Sequence, residues 1–272
     1  KCLIIAVGFI IAAGCILPTA KTNKVSAQTN FTGNTINDRI LTPDGFQRVA
    51  TDDISFADYL HSLPLKPEGS KVKYYNGETK SADVYCAVVD LPIGNKDLHQ
   101  CADAVMRLKA DYYFSRKQYD KIAFHFVNGF DCRYSKWREG YRVSLKNTSA
   151  TWVKTASKDT SYNCFRKYLE TVFSYCGTRS LPSDSKQISF TDLQSGDILL
   201  TPGSPGHAVI ILDMAINTST GKKKILIGQS YMPAQEIQVL KNESGPWFDM
   251  PGNGIYETPE WTFHAPFSYS LN

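Results

Sequence analysis

Along residues 195–213 the chain runs from a polar turn into an apolar stretch, through a Gly/Pro loop, and into a second apolar stretch that opens on His207. That order predicts a buried hairpin with an imidazole at its edge, packed by apolar neighbours yet within reach of a ligand. Residues 122–127 alternate in period two and are followed by Asn128-Gly129, so a strand and a turn are expected there. Residues 72–75 and 84–89 read as strands flanking an Asn76-Gly77 turn, and further strands are expected at 224–228 and 236–240. Over 99–113 the period changes. Ala104, Val105, Leu108 and Tyr112 recur at helical spacing, which puts Cys101 in or just before the first turn of a helix. A second long helix is expected over 161–176, ended by Gly177 as a C-cap, and a short one over 55–60 behind Ser55 as N-cap. A helical turn is expected at 134–137, and the tail from 246 to 267 reads as irregular and aromatic. Helices therefore come first and an antiparallel sheet after them, an α+β pattern.

The first forty residues follow a different rule. Residues 3–13 are uninterruptedly apolar behind Lys1 and too short to span a bilayer, which is the pattern of a secretory signal. Ala12-Ala13-Gly14-Cys15 resembles a bacterial lipobox, which would make Cys15 the lipidated residue. The domain reading is a lipoprotein signal peptide over 1–15, a flexible Thr/Asn/Ser/Lys-rich tether over 16–40, and one domain over 41–272. Val25-Ser26-Ala27 offers the alternative, cleavage after Ala27 to a secreted or periplasmic protein. Both readings export the protein; the first holds it to a membrane through a lipid anchor.

Composition narrows the function classes. Of 272 residues, 42% are hydrophobic and 12% aromatic, which suits a packed core and argues against disorder. The net charge of +4 forms no basic stripe, and the lysines at 222–224 beside Gly221 read as a solvated hairpin tip, so nucleic acid is not an expected partner. Of seven cysteines, Cys2 and Cys15 belong to the signal, leaving five: Cys86, Cys101, Cys132, Cys164 and Cys176. An odd number requires at least one free thiol or an intermolecular bridge. No HExxH, zinc-ligand spacing or phosphate loop occurs, so no metal and no cofactor are expected.

Cysteine at a helix N-terminus meets unpaired amides and the positive end of the helix dipole, both of which favour the nucleophilic thiolate. A nearby histidine accepts its proton and returns it to the leaving group. Cys101 and His207 fit these roles, and Gln229 fits a third, holding the imidazole with an uncharged carboxamide. Each has a structural alternative: a buried cysteine packs as a small hydrophobe, His207 caps its loop, and Gln229 ties residues 231–235 to the sheet. Asp213, a rival to Gln229, lies about 20 Å from His207 along an extended strand. Gln100, Trp137, Tyr231 and Gln235 are candidate oxyanion and substrate contacts, while Trp137, Tyr231, Trp247 and Trp261 read as core or rim or, where exposed together, as an aromatic wall for a glycan or peptide.

The order Cys101, His207, Gln229 resembles that of papain-like cysteine amidases of the NlpC/P60 kind, although Ala102-Asp103 stands where those enzymes carry Ser-Gly. The resemblance implies an α+β fold with a papain-like core, its nucleophile helix packed on an antiparallel sheet, and residues 112–190 as an inserted helical segment. A second resemblance covers the chain from about residue 40 to its end. Residues 64–70, 100–104, 136–140 and 229–235 look like the DUF4846 family of exported Bacteroidetes proteins, which implies bacterial origin and export but assigns no activity. The expected function is a lipid-anchored cysteine hydrolase of amide bonds, with cell-wall peptides or peptidoglycan-derived ligands as partners. The alternative is a non-catalytic envelope lipoprotein that binds a glycan or peptide in the same cleft.

Overall fold

The ten residues His207–Ile216 form the axis of the structure, a computed structural model that describes residues 29–30 and 32–271. Its helices are α1 (Ile36–Arg39), α2 (Phe56–His61), α3 (Cys101–Ser115), α4 (Tyr134–Arg138) and α5 (Tyr162–Tyr175). The strands begin with β1 (Gln47–Arg48), β2 (Tyr85–Val88), β3 (Ala123–His125), β4 (Asp131–Arg133), β5 (Tyr141–Lys146) and β6 (Ser149–Lys154). They continue as β7 (Ser185–Gln187), β8 (Ile198–Thr201), β9 (His207–Ile216), β10 (Lys223–Gln229) and β11 (Gln238–Leu240). The last are β12 (Trp247–Asp249), β13 (Ile255–Thr258), β14 (Trp261–His264) and β15 (Ser268–Leu271).

Among the described residues nine strands join one sheet in the order β2-β11-β10-β9-β8-β15-β7, with β1 added beside β9 and β12 beside β10; every pair is antiparallel. The apolar run of β9 is buried on both faces, as a continuous hydrophobic strand requires. Ala208, Ile210 and Leu212 join the core that holds the apolar faces of α3 and α5, while Val209, Ile211 and Met214 join a second core with Phe248, Phe263 and Phe267. The helices thus cover one face, and the chain after β11 covers the other. A β-bulge opposite Leu226 and Ile227 lets Leu212 close over Gly228, where an added Cβ would meet Leu212 Cδ1 at 2.8 Å. Past that bulge Asp213 turns to Arg48 and His61, at 2.5 and 2.8 Å, and ties the N-terminal segment to the sheet.

Several expectations need correction. The fold is not the papain-like core in which a nucleophile helix packs on a sheet. A large antiparallel sheet dominates, and helices are few among the described residues. Helices do not precede strands, since β1 and β2 come before α3. The tail is not irregular: it supplies β12, the β13–β14 hairpin, and β15, which lies inside the sheet between β8 and β7. Residues 112–190 are not a helical insertion either, because they hold the β3–β4 and β5–β6 hairpins beside α5. Residues 72–75 make isolated bridges rather than a strand. The expected tether ends early, for Thr35 caps α1, and Ile36 and Ile40 are fully buried. The signal segment and Cys15 lie outside the described residues. Among the described residues no helix is long and apolar enough to cross a membrane, and no group of three or more metal-ligating side chains converges.

Candidate functional site

Helix α3 begins at Cys101 because Gln100 is extended and the Asp103 carboxylate accepts the Gln100 backbone N–H at 2.9 Å, fixing the first turn. Asp97 holds the approach, accepting from Gln100 Nε2 at 3.1 Å and from the Ala234 N–H at 2.7 Å. His99, fully buried, has Nδ1 3.2 Å from the Gln235 carbonyl, while Ser230 Oγ lies 2.9 Å from the His99 carbonyl. The start of α3 and the loop over 231–235 are therefore one rigid unit. Burial pushes the His99 imidazole down to about 3, so it stays neutral.

The β8–β9 hairpin faces this unit. Thr201 pairs with His207 across the hairpin, and Gly206 admits no side chain: an added Cβ would lie 2.5 Å from Thr178 Oγ1 and 2.6 Å from the Gly203 carbonyl oxygen. His207 is packed by the rings of Tyr231, Trp261 and Phe263, with centroids at 4.8, 5.2 and 6.0 Å. Its Nε2 lies 2.9 Å from Gln229 Oε1 on β10. Desolvation by this aromatic box is the main reason the imidazole is depressed to about 4; the Gln229 contact opposes that shift and the Lys80 charge adds to it.

Cys101 and His207 line one cleft of about 240 Å³ with Cys176, Thr178, Tyr231 and Trp261. Burial holds the Cys101 thiol above its usual range, and the Asp103 carboxyl works in the same direction. Opposing them, the backbone N–H groups of Ala208, Ala102 and Cys101 itself are placed to stabilise a thiolate. At rest the cleft thus holds a neutral thiol and a neutral imidazole. Attack from such a pair requires that the proton leave the sulfur as the new bond forms, because neither group is charged at rest. Among the described residues all five cysteines are free, and Cys86, Cys132 and Cys176 are also held protonated by burial.

The other sequence candidates separate. Gln100 and Tyr231 line the cleft. Gln235 lies behind it, buried, with Oε1 at 3.1 Å from Lys80 Nζ. Trp137 lies in the core on α4, packed on Tyr168 under the Arg142 guanidinium, and takes no part in the cleft. Trp247 is buried too and donates to the Leu41 carbonyl at 2.8 Å. Asp213 serves the sheet, as described above.

Sequence reasoning missed two charged residues behind Gln229. Glu260, at the β13–β14 turn, accepts from Gln229 Nε2 at 2.6 Å, and the same oxygen is 2.6 Å from Lys80 Nζ. Nothing in the local sequence of either marks it; they meet only because the tail folds back over β10. A larger cavity of about 520 Å³ beside Lys109 and Asp197 contains no thiol or imidazole.

The model of DUF4846, a domain of unknown function, matches residues 36–267. No curated protein and no solved structure matches the chain.

Proposed function

We propose that this chain, which belongs to the DUF4846 family, is a cysteine hydrolase that cleaves an amide bond. The observation that carries the reading is the cleft shared by Cys101 and His207, with His207 Nε2 held by Gln229 Oε1 at 2.9 Å. In the reaction, Cys101 Sγ bonds to the carbonyl carbon while its proton passes to His207. The oxygen takes the electron pair and is met by free N–H groups in the first turn of α3. Collapse of the tetrahedral adduct breaks the C–N bond, and His207 gives its proton to the departing amine. Water, deprotonated by His207, then cleaves the thioester and restores the thiol. The apolar run over 3–13 supports export, and export makes an envelope peptide the fitting substrate class.

A peptide-based chloromethyl ketone tests the pairing in the folded protein. The expected result is modification of Cys101 ahead of Cys86 and Cys176, lost in His207→Ala, together with release of amine from cell-wall peptide fragments. Equal labelling of the three cysteines, or Cys101 labelling indifferent to His207, would overturn the reading.

A second reading rests on the resting neutrality of the pair and on the aromatic wall of Tyr231 and Trp261. In it the cleft binds a peptide or glycan without turnover, and the signature is saturable binding of a cell-wall fragment that Cys101→Ser leaves intact, with no product.

A further inference from the structure

A neutral imidazole carries one N–H, and its place decides whether His207 can serve as a base toward Cys101. With Nε2 against the Gln229 carboxamide, only Nδ1 is left to take a proton in the cleft. A carboxamide can offer either end, so Gln229 alone does not decide which nitrogen holds the hydrogen. The residues behind it do. Glu260 Oε2 lies 2.6 Å from the other end of Gln229 and 2.6 Å from the Lys80 ammonium. A carboxylate paired with an ammonium only accepts, so Gln229 must turn its NH₂ toward Glu260 and its oxygen toward His207. Nε2 then has to donate, and the Nδ1 lone pair is free. Lys80 cannot leave, for it is itself buried, bonded to Gln235 Oε1 at 3.1 Å, and stands 6.0 Å over the Tyr231 ring.

We infer that Lys80 and Glu260 are positioning residues that set the tautomer of His207, passing a donor–acceptor order through Gln229 so that Nδ1 remains the base. The inference rests on reading His207 as the base of Cys101, but the tautomer can be measured without any substrate. Carboxylate and imidazole are kept one amide apart. A carboxylate directly on Nε2 would also order the ring but would raise its basicity and favour the charged form. The amide transmits direction without that charge.

The test is nitrogen NMR of the full chain with isotope-labelled histidine, near neutral pH. The expected wild-type spectrum shows His207 protonated at Nε2 and bare at Nδ1. In the exchange variant Lys80→Glu with Glu260→Lys, residue 260 can only donate. Gln229 then reverses, and the proton moves to Nδ1. In Glu260→Ala the amide loses its reference and the two tautomers mix; this site is a partly exposed turn, so the variant is expected to fold even if the exchange does not. Both variants lower turnover by about 10²-fold or more, the scale of a mis-set base. A wild-type proton on Nδ1, or an unchanged Nε2–H in Glu260→Ala, overturns the inference. A tautomer that changes as described in a protein that hydrolyses no amide would overturn the hydrolase reading and leave the relay standing.

Discussion

Two long helices among the described residues each carry a cysteine in the first turn, and only one of those cysteines lines a cleft with a histidine. Cys101 opens α3, and Cys164 lies in the first turn of α5, where its N–H donates to the N-cap Ser161 Oγ at 3.1 Å. Both are buried, and both thiols are pushed above the usual range by burial first. Cys164 looks into the core, beside Tyr134 and Trp137. Cys101 looks across at β9, where the Ala208 N–H is placed toward its sulfur and His207 lines the same cleft. A helix N-terminus therefore does not make a nucleophile. What lies opposite decides, and here that is the first residue of a strand whose hairpin loop has no space for a side chain at Gly206.

The contrast can be broken most severely at the sulfur. Cys101→Ser is expected to lower amide turnover by about 10⁴-fold or more while thermal unfolding stays close to wild type. Cys164→Ser should leave turnover in place and destabilise the fold by about 1–3 kcal/mol, since it puts a hydroxyl into an apolar site. Turnover and thermal melts on the two variants give opposite rankings if the comparison holds.

Next in size is the packing of α5. Phe165 is fully buried and stacks on Phe114 with centroids 4.3 Å apart. Phe165→Ala should cost about 3–5 kcal/mol in denaturant unfolding, with turnover per folded molecule little changed.

A pH effect follows from the histidines at the α3 cleft. His207 and His99 titrate at about 4 and about 3 in the fold, both below the ordinary 6.5. The unfolded chain therefore binds more protons than the native one in this range. Their contribution to stability is full above about pH 6.5 and is lost as pH falls toward 4 and then 3. Denaturant midpoints measured across that window should fall, and His207→Gln should flatten the upper part of the curve. Turnover should hold down to about pH 4, where protonation removes the base.

The smallest effect sharpens the electrostatics of α3 alone. The Asp103 carboxyl is buried, held well above its usual range by desolvation, and it opposes a thiolate at Cys101. Asp103→Asn should speed iodoacetamide alkylation of Cys101 by a few-fold, with no change at Cys164.

The elements legible in the sequence were those with a long, unbroken pattern. Residues 99–113 and 161–176 gave their helices to within a few residues, and the Gly/Pro loop before His207 gave the β8–β9 hairpin. The short strands of the tail were not legible, because β12 has three residues and β13 to β15 have four each, too few to show a period. The β5–β6 hairpin does carry a local signal: Val143 and Leu145 alternate with polar residues, and Asn147 takes the positive φ of a tight turn. Cys101, His207 and Gln229 could be picked out by residue type and local pattern. Glu260 and Lys80 could not, since an acid in a turn and a lysine in a loop look like any solvated charge until the tail folds over them.

The place of β15 has a consequence for timing. Ser268–Leu271 is paired on both sides, with Ile198–Leu199 of β8 and with β7, so the interior of the sheet is completed by residues that follow His207 in the order of synthesis. Until they arrive, β8 is an open edge directly before the His207 loop, and the turn that brings Glu260 to Gln229 has only just emerged. A chain that is still being made therefore holds Cys101 and His207 before Glu260 and β15 have taken their places. The order of synthesis itself leaves the wall of the cleft unbraced until β15 has been made.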